Sequence, residues 1–168
     1  MRNTMNSLLR ALSSLLLDKE RAKLSKPLRG NQPSGSRITI LSVLRNSSDR
    51  DMMVEVSRRN QWDISFVSTT EEARESLRFA KPHIVLVDRD LDVTDWRHAV
   101  SSLAAASGGA CVLLISRVID DYLWNEVVAN GGYDLLRKPL TEEDVVRNVK
   151  LAWSYWNGTR PTAAAAKK

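Results

Sequence analysis

The sequence predicts an α/β protein built on a doubly wound, five-stranded parallel sheet. Three observations predict it. Short runs of branched apolar residues alternate five times with stretches of helical periodicity between residues 37 and 156. One run, Ile84-Val85-Leu86-Val87, is apolar at every position, as strands covered by helices on both faces are. Polar residues then stand at the ends of three of the runs: Asp88, Ser116 and Lys138.

The elements follow in order. Residues 37–44 read as a strand and 48–60 as a helix with Asp49 near its start. Residues 64–68 read as the second strand. The helix 70–80 opens after Thr69, with Glu71, Glu72 and Glu75 in its first turns, where the helix dipole favours acids. Strand 83–87, helix 95–106, strand 111–115, helix 120–130 and strand 133–136 come next. The last helix, 141–156, opens with Thr141-Glu142-Glu143-Asp144, a capping-box pattern. Units of this size make a parallel sheet with helices on both faces.

The 168 residues, 43% of them apolar, suffice for one core with appendages. Residues 1–36 carry seven Lys/Arg against Asp18 and Glu20, and 157–168 add three bases and no acid. Residues 37–156 hold fifteen bases and eighteen acids, so the basic character belongs to the ends and nucleic-acid binding is not expected. The expected domains are therefore a basic extension and linker over 1–36, a folded domain over 37–156 and a disordered tail over 157–168. Leu8, Leu12, Leu15 and Leu16 are spaced as on a basic amphipathic helix, suited to a membrane surface or a partner. No apolar segment reaches the roughly 20 residues of a membrane span. The single Cys111 lies in an apolar run and has no internal partner, which predicts a buried thiol and a reducing, cytoplasmic setting.

In a doubly wound sheet the carboxyl ends of the strands border one crevice. A carboxylate (Asp88), a hydroxyl (Ser116) and an ammonium (Lys138) meeting there suit transfer of a phosphoryl group onto the carboxylate, with the other two groups holding phosphoryl oxygens. Lys138-Pro139 fixes the backbone beside the lysine and suits a cis bond. Asp88-x-Asp90-x-Asp92 has the spacing of a calcium loop, but Val93 and Val100 stand where its glycine and final acid belong.

On these residues, Val85-Leu86-Val87-Asp88, Asp95-Trp96, Ser116 and Lys138-Pro139, the chain resembles the receiver domain of two-component response regulators over residues 37–156. The resemblance implies a flavodoxin-like, receiver-type fold, Asp88 as phosphoacceptor, Ser116 as switch hydroxyl and Lys138 as phosphate-contacting lysine. It also implies a signalling role in a phosphorelay rather than catalysis, with a histidine kinase or other signalling protein as partner and no output domain. The family carries a Mg²⁺-binding acid pair after the first strand; here Leu44 and Arg45 fall at that position, so Mg²⁺ is expected to bind weakly or not at all. Leu135 stands at the aromatic switch position, Arg117 follows the hydroxyl, and Asp92 replaces a loop proline. These departures leave open a phosphorylation-independent pseudo-receiver that only binds partners. Arg45 is expected to pair with Asp88 in place of the metal, an attraction on the order of 4 kcal/mol before desolvation.

Asp88-Arg89-Asp90 also resembles the nucleophile motif of haloacid-dehalogenase phosphatases, with Asp120-Asp121 as a metal pair. In that superfamily, however, the lysine precedes the acidic pair, whereas Lys138 follows it. His83 and His98 have no metal-ligand company and read as structural. Five aromatic residues crowd the last two helices: Tyr122, Trp124, Trp153, Tyr155 and Trp156. One face, Val145, Val149, Ala152 and Trp156, must meet the sheet; Tyr122, Trp124, Trp153 and Trp156 are expected to contribute to an interface, including a homodimer through these helices.

Overall fold

The computed structural model describes residues 37–91 and 95–159. The sequence-based expectations for 1–36, 92–94 and 160–168, including the basic extension and Asp92, lie outside the described residues. Five strands, β1 (Thr39–Val43), β2 (Asp63–Val67), β3 (Ile84–Asp88), β4 (Cys111–Ser116) and β5 (Asp134–Arg137), form one parallel sheet in the order β2-β1-β3-β4-β5. The helices are α1 (Ser47–Asn60), α2 (Thr70–Phe79), α3 (Trp96–Ala106), α4 (Asp121–Ala129) and α5 (Glu142–Thr159).

The two-residue period of the strands divides the core in two. Ile40, Ile84, Leu86, Cys111, Leu113 and Ile115 face Met53 and Val56 of α1 and Val145, Val149 and Ala152 of α5. Leu41, Val43, Val85, Val87, Val112 and Leu114 face Ala73 and Leu77 of α2, Val100 and Leu103 of α3, and Leu123 and Val127 of α4. Strands β3 and β4 are buried at every residue because both of their faces are covered. Strand β2, on the sheet edge, leaves Asp63 and Ser65 exposed.

Side chains cap each helix start and so set its direction. Asn46 accepts from the Asp49 N–H at 3.0 Å, Thr69 from Glu72, Asp95 from Arg97, Asp120 from Leu123 and Thr141 from Asp144. The expected stop of the last helix at Asn157-Gly158 is corrected: α5 continues to Thr159, whose hydroxyl donates to the Trp156 carbonyl. A glycine one residue from a helix end costs only about 1 kcal/mol relative to alanine, too little to end the ladder. At the α4–β5 turn, Gly132 comes so near Val127 that a Cβ there would lie 2.5 Å from the Val127 Cγ1.

The aromatic residues of α4 and α5 divide between core packing and surface. Trp153 and Trp156 stack 5.3 Å apart and both meet the His83 ring edge-on, while the His83 Nδ1 accepts the Thr39 N–H at 2.9 Å. Trp124 packs on the α2–α3–α4 core and donates its indole N–H to Asp134. These three tryptophans are partly buried, Trp153 and Trp156 against the α1–α5 core and Trp124 against the other. Tyr122 and Tyr155 are the most exposed rings of α4 and α5, at 65% and 55% exposure. Cys111 is buried, and that burial pushes its thiol up to about 11.

Candidate functional site

Strands β1 and β3 are neighbours, yet their connections leave for opposite faces: α1 covers one side, α3 the other. A crevice opens where chain connections diverge in this way. Asp88 ends β3 beside it, at 7% exposure. One carboxylate oxygen of Asp88 accepts the Asp90 N–H at 3.0 Å, and the other receives the Lys138 ammonium. Lys138 follows β5, where its own N–H donates to the Ser116 carbonyl at 2.9 Å and its peptide bond to Pro139 is cis. Asp88, Ser116 and Lys138 are thus brought to one sheet edge.

The cation on Asp88 corrects one expectation. It is Lys138, not Arg45. Arg45 is exposed and its Nε donates to the Ser68 carbonyl at 3.1 Å, across the end of β2. The reason is geometric: β1 ends one residue earlier than Leu44, and Arg45 turns outward as the chain leaves for α1.

A second carboxylate enters the site. Asp49, in the first turn of α1, lies 3.0 Å from the Lys138 ammonium through its Oδ2. The sequence places Asp49 and Asp51 as the acids nearest the end of β1, both on α1, and does not show that Asp49 turns from the first helical turn into the crevice. Burial pulls the Lys138 pKa down, but the hydrogen bonds and charges of Asp88 and Asp49 outweigh it and hold the ammonium above the ordinary lysine value. Arg50, also unpredicted, donates to the Leu44 carbonyl at 2.6 Å, the Val67 carbonyl at 3.2 Å and the Ser68 hydroxyl at 3.0 Å. It thereby ties the ends of β1 and β2 together. No local pattern announces such a role.

The Ser116 hydroxyl is engaged locally: it donates to the Val118 carbonyl at 2.8 Å and accepts the Val118 N–H at 3.1 Å. Arg89 reaches it at 3.5 Å. Arg117 lies 3.6 Å from Asp90, an exposed pair worth roughly 0–1 kcal/mol. Beside Lys138 an open cavity of about 300 Å³ is lined by Asn46, Asp49, Arg117, Lys138 and Pro139. Asp120, a metal ligand on the phosphatase alternative, spends its carboxylate on the cap of α4.

A hard cation wants several oxygen ligands in near-octahedral geometry. Leu44 is fully buried in the α1–α5 core and Arg45 is cationic. The carboxylates of Asp49 and Asp88 converge on an ammonium, and no group of three His, Cys, Asp or Glu among the described residues is arranged to hold a metal.

No protein-family model matches the sequence, and no curated protein is similar enough in sequence to serve as a relative. Solved structures do match. The chemotaxis response regulator CheY4 of Vibrio cholerae superposes with a TM-score of 0.64 at 16% identity, over 70% of this chain and 99% of that one. The fold is that of a response-regulator receiver domain. The receiver domain of a sensor histidine kinase from Pseudomonas aeruginosa, solved with magnesium in its active-site cleft, gives 0.62 at 17% identity over 71% and 99%. The receiver domain of Ssk1 from Saccharomyces cerevisiae, solved with the phosphotransfer protein Ypd1, gives 0.61 at 13% over 68% and 87%. Against this receiver fold, no described helix of the chain is long and apolar enough to cross a membrane.

Proposed function

We propose that this protein is a receiver-like signalling module that acts through protein contacts, as a pseudo-receiver whose crevice is held by ion pairs rather than by a metal. The observation that carries the reading is the Lys138 ammonium bridging Asp88 and Asp49 while Leu44 and Arg45 follow β1. The module is not an enzyme. Its partner is a histidine kinase, a phosphotransfer protein or another signalling protein, as the Ypd1 complex illustrates for its own receiver domain. Nucleic acid is not a partner, and the setting is cytoplasmic. A homodimer or partner contact would use the outer side of α4 and α5, where Tyr122 and Tyr155 reach solvent.

A second reading keeps Asp88 as a phosphoacceptor, and the meeting of Asp88, Lys138 and the Ser116 strand end supports it. A carboxylate oxygen of Asp88 would attack the phosphorus of acetyl phosphate, the P–O bond to the acetyl group would break, and acetate would leave. Lys138 would move to the phosphoryl oxygens, and Ser116 would have to leave Val118 to donate to one. Incubation with acetyl phosphate, with and without Mg²⁺, followed by intact mass measurement separates the two. The pseudo-receiver reading expects no phosphoryl adduct in either arm. A stoichiometric adduct lost in Asp88→Asn would establish the second reading.

A further inference from the structure

The crevice holds more negative charge than one lysine needs. Asp88 alone would neutralise Lys138, and a second carboxylate beside the pair is costly in a site this dry: the side chains of Lys138, Asp88 and Asp49 are 9%, 7% and 20% exposed. An ammonium has three hydrogens to donate, and both the Asp88 and the Asp49 carboxylates lie within reach of one. We propose that Asp49 is a positioning residue that holds the Lys138 ammonium over Asp88, so that a side chain of the protein itself supplies the positive charge of the crevice. The inference rests on the receiver-like reading of the site and deepens it by naming what controls Lys138.

Both ends of this arrangement are fixed by the fold. The Asp49 N–H donates to the Asn46 side chain, which sets the start of α1, and its charge sits in the first helical turn, where an acid is favoured. Arg50, the next residue, anchors that turn to the Leu44 and Val67 carbonyls. On the other side, the Lys138 backbone is held to Ser116. Lys138 therefore has little freedom to swing out of the crevice, and Asp49 is the only one of its two partners that does not belong to the strand it covers.

The test reads the ammonium directly. With lysine labelled in ¹⁵N at Nζ, the wild-type protein is expected to show a resolved, slowly exchanging Lys138 ammonium signal, assigned by its loss in Lys138→Arg. In Asp49→Asn, with the core amide spectrum unchanged, its hydrogen exchange is expected to quicken by about tenfold, the worth of one charge-assisted bond. Asp49→Glu is expected to restore part of the protection. Asp88 and Asp90 amide signals are expected to survive millimolar Mn²⁺ without paramagnetic broadening. An ammonium signal that is unchanged in Asp49→Asn, or Mn²⁺ broadening centred on Asp88 in the wild type, would overturn the proposal. No phosphoryl donor enters these measurements, so the acetyl phosphate result tests the function reading separately.

Discussion

Trp124 donates its indole N–H to the Asp134 carboxylate at 3.1 Å and so ties α4 to the first residue of β5. The same oxygen of Asp134 accepts the Leu135 N–H at 2.8 Å. Burial raises the Asp134 pKa, and the bonds from Leu135 and Trp124 oppose it only in part. Both donors are neutral, so no opposite charge offsets the rest of the desolvation.

The first prediction concerns that pair. Trp124→Phe removes a donor from a half-buried carboxylate and should cost about 1 kcal/mol. Asp134→Asn keeps an acceptor and removes the charge. Because the folded pKa lies above the unfolded one, the stability Asp134 contributes is present below its ordinary value of 3.8 and is lost as pH rises through the folded pKa. Guanidinium denaturation from acid to neutral pH should therefore show a decline in the wild type that is reduced in Asp134→Asn.

Lys138 carries the second. Its folded pKa is also raised, so its contribution is full below the ordinary lysine value of 10.5 and disappears as pH climbs through the folded pKa above it. Lys138→Met should remove that alkaline decline. At neutral pH it should cost roughly 3–5 kcal/mol, because Asp88 and Asp49 are left as uncompensated charges in the crevice. Denaturation curves at neutral and alkaline pH measure both effects. Equal alkaline slopes in the two proteins would refute the assignment.

Third, the aromatic residues of α4 and α5 should separate by role. Trp156→Ala removes a ring stacked on Trp153 and His83 and should cost roughly 3 kcal/mol, the low end for a core tryptophan because this ring is partly exposed. Tyr122 is mostly exposed and accepts one bond from Arg97 at 3.1 Å. Tyr122→Ala should change stability by no more than about 1 kcal/mol while weakening self-association or partner binding. Sedimentation velocity and urea titration of both variants distinguish contact from core.

A fourth prediction tests packing at the α4–β5 turn. Gly132→Ala places a Cβ 2.5 Å from the Val127 Cγ1, 3.0 Å from the Val127 carbonyl oxygen and 3.1 Å from Val100. Overpacking of this kind should cost about 1–3 kcal/mol, seen as a lowered Tm. An unchanged Tm would mean that α4 can shift away from β5.

Read alone, the sequence determined the order of the five βα units, the two-sided burial of β3, the capping at Thr69 and Thr141, and the strand ends at Asp88, Ser116 and Lys138. These are legible because they are local: a period of two, a capping oxygen or an abrupt polar residue after an apolar run is decided by neighbours in the chain. Only the tertiary structure decided which charges meet. Periodicity puts Asp49 on α1 and Arg45 after β1, but not how far either side chain reaches along the crevice; the first meets Lys138 and the second meets the Ser68 carbonyl. The bond between Trp124 and Asp134, the Arg50 anchor and the turning of the Ser116 hydroxyl to Val118 are of the same kind. Each depends on the approach of segments that the sheet order brings together, and side-chain direction in such a crevice follows from that packing rather than from the residues on either side.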